Sequence, residues 1–150
     1  MSLEVRPALP DDLPAILELY EQLAGGLGHH PAGLEAARAA LAEMATQPGR
    51  VLLTALLDGA VAGTADLLIV RPNITHFGQP WAIVEHVVVD RAARRRGVGR
   101  RLMEETVRRA REAGCYRLQL LSHVRRTDAH AFYRAVGFEP SAQGFRVYFP

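Results

Sequence analysis

Arg94-Arg95-Arg96-Gly97-Val98-Gly99 has the composition of a loop that holds an anion at the start of a helix. The first turn of a helix leaves main-chain N–H groups without intrahelical acceptors, at the positive end of its dipole, so a phosphate binds there if the backbone comes close. Gly97 and Gly99 remove the side chains that would obstruct this approach, and Arg94, Arg95, Arg96 and Arg100 supply neutralising charge. Two nucleotide-binding loops are excluded. A Walker loop needs Lys followed by Ser or Thr, and the chain contains no Lys; a dinucleotide fingerprint needs a third glycine where Leu102 stands. Paired glycines one residue apart are frequent, so the spacing alone leaves the ligand open. An apolar strand before the loop and an amphipathic helix after it strengthen the reading.

Other side chains with chemical potential are scattered. Glu85 interrupts the apolar run from Trp81 to Val89, where a carboxylate is a base, a salt-bridge partner or a charge exposed by a bulge. Parity along a regular strand puts Glu85 on one face with Ile83, Val87 and Val89. His86 then faces the other way and reads as a hydrogen-bonded core group. Cys115 follows a helix-ending Gly114 at the head of an apolar run and reads as structural rather than nucleophilic. A single cysteine forms no internal disulfide, and no Cys and His cluster has zinc-ligand spacing, so no metal site is expected.

These residues need positioning elements. Leu3 to Arg6 reads as a first strand, and Asp11 or Asp12 caps a helix through Leu13, Ile16, Leu17 and Tyr20. Leu34, Ala37, Leu41 and Met44 mark a second helix beyond the loop from Gly25 to Pro31. Val51 to Leu57 and Ala60 to Val70 form a hairpin through Asp58-Gly59, and a fourth strand runs from about Trp81 to Val89. The third helix buries Leu102, Met103, Thr106, Val107 and Ala110 and stops at Gly114, before a fifth strand from Tyr116 to Leu121. A strand, helix, strand unit of this length predicts a parallel pair with a right-handed crossover. Thr127 or Asp128 caps a fourth helix closed by Gly137, and Phe138 to Glu139 with Phe145 to Phe149 predict a closing hairpin around Ser141 to Gly144.

With 150 residues, 49% hydrophobic and 23% charged, the chain has the size and balance of a single domain spanning 1–150. No run approaches the ~20 apolar residues of a membrane span, and the opening residues lack a secretion signal pattern, so a cytoplasmic location is expected. All 18 basic residues are Arg, and half of them lie between Arg91 and Arg111, although the net charge is only +2. Nucleic acid and a phosphorylated cofactor both fit such a patch. Counter-charges from Glu104, Glu105 and Glu112 account for the later arginines as a solvated helix face, but not for the glycines among the earlier ones.

The segment behind Val87-Val88-Val89-Asp90 resembles the signature of the GCN5-related N-acetyltransferases, the GNAT family: Gln/Arg-x-x-Gly-x-Gly/Ala, supplied here by Arg94, Gly97 and Gly99. Ala129-His130-Ala131-Phe132-Tyr133-Arg134-Ala135-Val136-Gly137-Phe138 is similar to its second signature, and the order of elements and the opening Arg6-Pro7-Ala8 match as well. The closest likeness is to small bacterial enzymes of the aminoalkylphosphonate and sugar-amine branches. Departures are Arg95 where many relatives have Gly, Arg91 where they have Pro, and Arg126 where they have Asn.

The resemblance implies an α/β fold whose central mixed, mostly antiparallel sheet has about six or seven strands, with about four helices and a splay between strands four and five. It implies acetyl transfer from acetyl-CoA to a primary amine of a small molecule. The cofactor would meet the main chain of Val87, Val88 and Val89, the loop Arg94, Arg95, Arg96, Gly97, Val98, Gly99 and Arg100, and Phe132. Tyr133 would be the general acid and Glu85 the base, directly or through water. His29, His76 and Trp81 would border the acceptor, and Arg125, Arg126 or Arg146 would suit an anionic one. No nucleic acid or membrane partner follows, and pairing into a homodimer is compatible with the reading. Two alternatives remain open: a nucleic-acid-binding domain, and a catalytically silent sensor of coenzyme A.

Overall fold

The computed structural model describes residues 1–23 and 33–150, so the Gly25 to Pro31 loop, with His29 and His30, lies outside the described residues. Strands β1 (Leu3–Pro7), β2 (Arg50–Leu57), β3 (Ala60–Val70), β4 (Trp81–Val89) and β5 (Leu118–Gln119) make one sheet in chain order. The first four run antiparallel to their neighbours, and β4 pairs with β5 in parallel. Asp58 and Gly59 have φ of 51° and 83° at the β2–β3 turn, the left-handed pair that a two-residue hairpin demands.

Helices α1 (Leu13–Glu21) and α2 (Leu34–Met44) precede β2, and α3 (Val98–Glu112) and α4 (Thr127–Ala135) flank β5. Leu102 and Met103 of α3 are fully buried with Leu53, Leu67 and Val84 of the sheet. Gly63 sets how closely α3 sits: a Cβ there would lie 3.2 Å from Val98 Cγ1 and 3.1 Å from the Val88 carbonyl oxygen. The other sheet face meets Ile16 and Leu19 of α1, and α2 is half-buried at the four positions its periodicity predicts, Leu34, Ala37, Leu41 and Met44. Arg6 ties β1 to the start of α1 by donating to both carboxylate oxygens of Asp12 at 2.7 and 3.1 Å. That guanidinium, with the Leu9 N–H, holds the Asp12 carboxyl below its ordinary range against the opposing effect of burial.

Four expectations change. The sheet has five strands, not six or seven, and β5 contracts from Tyr116–Leu121 to Leu118–Gln119. Phe138–Glu139 and Phe145–Phe149 form no hairpin. Their β-branched and aromatic side chains favour a strand, but among the described residues their main chain finds no strand to pair with, making only local bonds from Phe138 N–H to the Tyr133 carbonyl and from Ser141 N–H to the Glu139 carbonyl. The first residue of α4 is Thr127, so Arg126 occupies the cap position expected of Thr127 or Asp128, and its side chain makes no capping bond.

Candidate active site

The parallel pairing of β4 with β5 consists of Ala82 opposite Leu118 and Ile83 opposite Gln119. From Val84 to Val89 the edge of β4 facing β5 has no strand beside it, so the sheet is split there. Val87, Val88 and Val89 therefore present main-chain groups to the split.

Glu85 stands two residues inside it. Cross-strand pairing puts Glu85 opposite Asp66 and Val88 opposite Thr64, so three steps on β4 match two on β3 and the strand bulges at His86 and Val87. The bulge overturns the regular-strand parity: Glu85 shares a face with Ile83 and Val88, while Val89 turns to the α3 side. Glu85 thus lies on the α1 face beside Asp66 and Thr64. Asp66 is occupied by Arg50, which donates at 2.8 and 2.7 Å, whereas the half-buried Glu85 carboxylate has no hydrogen-bond or ionic partner among the described residues. Burial, with Asp66 nearby, pushes the hydroxyl of Tyr20 up to about 12 on this same face. His86 is not the core group expected from parity. It is exposed, with φ of 52°, and its ring meets the edge of Tyr20 at 6.1 Å.

Beyond β4 the chain makes a short 3-10 turn, Arg91–Ala93, whose Ala92 N–H donates to Asp90 Oδ1 at 3.1 Å. Gln22, at the end of α1, accepts from the Arg91 N–H at 3.1 Å and donates to Asp90 at 3.4 Å, anchoring the entry of the loop. Nothing in the sequence pattern singled out Gln22, because its partner is 68 residues away. Arg95 has φ of 62° and Gly97 φ of 82°, and α3 begins at Val98 without a side-chain cap. Among the described residues, none of the N–H groups from Arg95 through Arg100 donates to a protein acceptor. Arg94, Arg95, Arg96 and Arg100 are exposed and lack salt bridges to described residues. The later part of the basic stretch is different: Glu105 accepts from Arg108 at 2.6 and 2.9 Å and from Arg109 at 2.8 Å, and Arg108 also reaches Glu112. Free positive charge is therefore concentrated around the loop.

The left-handed backbone at Arg95 is one that only glycine takes without steric cost. The two glycines here do separate work. A Cβ on Gly97 would meet nothing within 4 Å, so its φ is the constraint; a Cβ on Gly99 would stand 3.1 Å from Phe132 Cζ and 3.4 Å from Val89 Cγ2. Phe132 packs over the first turn of α3, joining α4 to the loop.

Tyr133 follows on α4, with Phe132 and Phe138 rings at centroid distances of 5.4 and 6.0 Å. Burial raises its pKa above the ordinary 10, with the charge of Arg126 opposing, so its hydroxyl stays protonated at neutral pH. It packs against the α3-side core, opposite the face that carries Glu85. Between β5 and α4, His123 Nδ1 accepts from the Arg125 N–H at 3.1 Å, and His130 Nε2 bonds the His123 carbonyl at 2.8 Å. The same turn buries the Ser122 hydroxyl without a partner among the described residues, a group the sequence did not mark.

His76 and Trp81 are placed elsewhere. His76 stacks on Tyr116 at 3.6 Å, and Arg117 covers Trp81 at 5.6 Å at the start of β4, where Trp81 is about 13 Å along the strand from Glu85 at ~3.3 Å per residue. Burial pushes the Cys115 thiol up, which disfavours a thiolate. Among the described residues no cluster of His, Cys, Asp and Glu suits a metal, and no helix is long and apolar enough to cross a membrane.

A split sheet beside a row of free N–H groups is matched by family comparison, in which residues 13–138 fit the model of the acetyltransferase (GNAT) family. This chain belongs to the GNAT acetyltransferases. Glucosamine 6-phosphate N-acetyltransferase of Trypanosoma brucei brucei is 30% identical over 98% of this chain and 96% of its own length. Aminoglycoside N(6')-acetyltransferase type 1 of Stenotrophomonas maltophilia is 30% identical over 90% and 85%. A solved structure from Agrobacterium tumefaciens str. C58 superposes with a TM-score of 0.89 at 37% identity, covering 97% of this chain and 99% of that one. As a GNAT N-acetyltransferase the chain uses acetyl-CoA as co-substrate. The unpartnered N–H row, the exposed arginines and the open edge of β4 fit its pyrophosphate and pantetheine amides in chemistry and charge.

Proposed function

We propose that this single-domain GNAT enzyme acetylates a primary amine on a small amino sugar in the cytoplasm. The observation that carries the reading is the split beyond Ile83, which offers an unpaired strand edge to the cofactor and a carboxylate to the acceptor. The two relatives at 30% identity are named for glucosamine 6-phosphate and aminoglycosides, both amino sugars, and this supports the acceptor class.

Val87 to Val89 and the loop from Arg94 to Arg100 hold the cofactor, with Phe132 against the loop. Glu85 takes the proton of the acceptor amine, directly or through water, on the α1 side. The amine nitrogen attacks the thioester carbonyl carbon, the C–S bond breaks, and the Tyr133 hydroxyl gives its proton to the departing sulfur from the opposite side. A base and an acid on the two sides of one opening let the amine, losing its proton to Glu85, add to the carbonyl carbon, and let the sulfur leave the resulting tetrahedral carbon with a proton from Tyr133. Arg126, whose charge reaches Tyr133, is the cation best situated for an acceptor phosphate.

An acetyl-transfer screen detecting free coenzyme A tests the reading across glucosamine 6-phosphate, aminoglycosides, aminophosphonates, polyamines and peptide N-termini. Amino sugars should give the highest kcat/KM. Coenzyme A binding without turnover on any amine would point to a silent sensor, and salt-steep DNA binding without coenzyme A affinity would point to a nucleic-acid-binding domain.

A further inference from the structure

The last turn of α1 braces β4 around its most compliant point. A bulge lets one strand shift against its neighbour, and here it separates Glu85, registered on Asp66, from Val88 and Val89, registered on Thr64 and Gly63. The acceptor side of the split lies before the bulge and the cofactor side after it, so the distance between them depends on residues 86 and 87. β5 gives no support there, because its pairing ends at Ile83. Instead, the ring of Tyr20 meets His86 edge-on at 6.1 Å. Two residues later Gln22 grips the entry of the cofactor loop: its side-chain oxygen accepts from the Arg91 N–H at 3.1 Å, and its nitrogen donates to Asp90 Oδ1 at 3.4 Å. Among the described residues, no other side chain from outside residues 90–97 bonds the main chain of that loop.

Both ends of this tie are fixed. The Gln22 N–H bonds the Leu19 carbonyl at 2.9 Å at the end of α1, and Leu19 and Ile16 are buried against the sheet, so a packed helix carries the amide. Asp90 is held by its own N–H on the Ala62 carbonyl at 2.8 Å and by the Ala92 N–H on Oδ1 at 3.1 Å. The position calls for one group that accepts and one that donates, which a glutamine amide supplies. Glutamate keeps only the acceptor and sets a second carboxylate against Asp90; leucine fills the volume with neither.

We propose that, with cofactor and acceptor seated as in the proposed function, Gln22 is a positioning residue for acetyl transfer that holds the cofactor loop in register with the acceptor side of the split across the β4 bulge. The pyrophosphate is held at the loop while the thioester reacts further along the split, so a displaced loop entry displaces the reacting carbon. Reacting atoms must approach to about 3–3.5 Å, and a misplacement of about 1 Å costs on the order of 10²-fold.

Gln22→Leu should lower kcat about 10–100-fold, while the KM of the amine acceptor stays within about threefold and the thermal midpoint falls by about 4 °C or less, as for a solvent-accessible hydrogen bond. Gln22→Glu should lose kcat as well. Adding Asp90→Asn to it should recover about 10-fold, because the pair then exchanges donor and acceptor and Asn still accepts from the Ala92 N–H. A packing role alone predicts no such recovery. Undiminished kcat in Gln22→Leu overturns the proposal, as does a Gln22→Glu defect that Asp90→Asn leaves unrepaired. If Gln22→Leu fails to fold, the exchanged pair decides. Glu85→Gln, assayed beside them, keeps the two readings apart: full turnover there removes the base and not the positioning role, whereas loss there with full turnover in Gln22→Leu removes the positioning role and not the base.

Discussion

Replacing Gly99 by alanine separates the functions of the two loop glycines. The new Cβ would lie 3.1 Å from Phe132 Cζ and 3.4 Å from both Phe132 Cε1 and Val89 Cγ2, against about 3.5–4.0 Å for relaxed carbon contacts. The ring must retreat by a few tenths of an ångström. Overpacking of this kind costs about 1–3 kcal/mol, and removing glycine's backbone freedom from a helical position returns about 0.5–1 kcal/mol, leaving a net loss of about 1–2 kcal/mol. Because Phe132 belongs to α4 and Gly99 to the turn carrying the free N–H groups, the strain loosens the cofactor site. Coenzyme A affinity should fall about 5–30-fold, the equivalent of the same 1–2 kcal/mol. Denaturant unfolding and calorimetric titration of Gly99→Ala, Phe132→Leu and the double variant form a cycle whose coupling should be about 1 kcal/mol, because the smaller side chain at 132 relieves the overlap. Gly97→Ala should lose stability through its left-handed φ, by about 1–2 kcal/mol, with effects that simply add to those of Phe132→Leu. Unchanged coenzyme A affinity in Gly99→Ala, or a cycle with no coupling, would refute the division of roles.

Tyr133→Phe should lower kcat on the order of 10²-fold with coenzyme A affinity retained, and steady-state kinetics with calorimetry tests this; full turnover removes Tyr133 as the acid. In the same assays Glu85→Gln should lower kcat on the order of 10²-fold, and undiminished turnover removes Glu85 as the base. Hydrogen bonds from Arg108 and then Arg109 hold Glu105 down at about 2, from an ordinary 4.5. The folded pKa lies below the unfolded one, so this stabilisation is present above about pH 4.5 and disappears as pH falls through about 2. Glu105→Gln should therefore be less stable by about 1–2 kcal/mol at neutral pH, after allowance for the half-exposed Arg108. Denaturant midpoints of the two proteins should converge below pH 4.5, and a constant gap would contradict the mechanism.

Local chemistry made much of the fold legible. The Asp58-Gly59 turn, the helical spacing of Leu34, Ala37, Leu41 and Met44, and the glycine loop before α3 each satisfy their requirements within a few residues. The misreadings at Glu85, His86 and the closing hairpin have a common cause, since each depends on strand register or partnership. A bulge is set by how β3 meets β4, and changes the side of every residue after it; no periodicity along β4 alone contains that information. Gln22 and Ser122 escaped for a related reason. Gln22 acts on a loop far along the chain, and Ser122 is notable only because nothing around it supplies a bond.

The brevity of the β4–β5 pairing has a consequence for solubility. An unpaired strand edge ordinarily invites another chain to add to it, and the inner edge of β4 is such an edge from Val84 onward. Here it is recessed, because β5 is fastened at Ala82 and Ile83 and diverges from there. A wedge that narrows to a closed vertex admits a slender, flexible amide-bearing ligand more readily than a strand belonging to a folded neighbour. The opening needed for chemistry thus carries its own protection against aggregation.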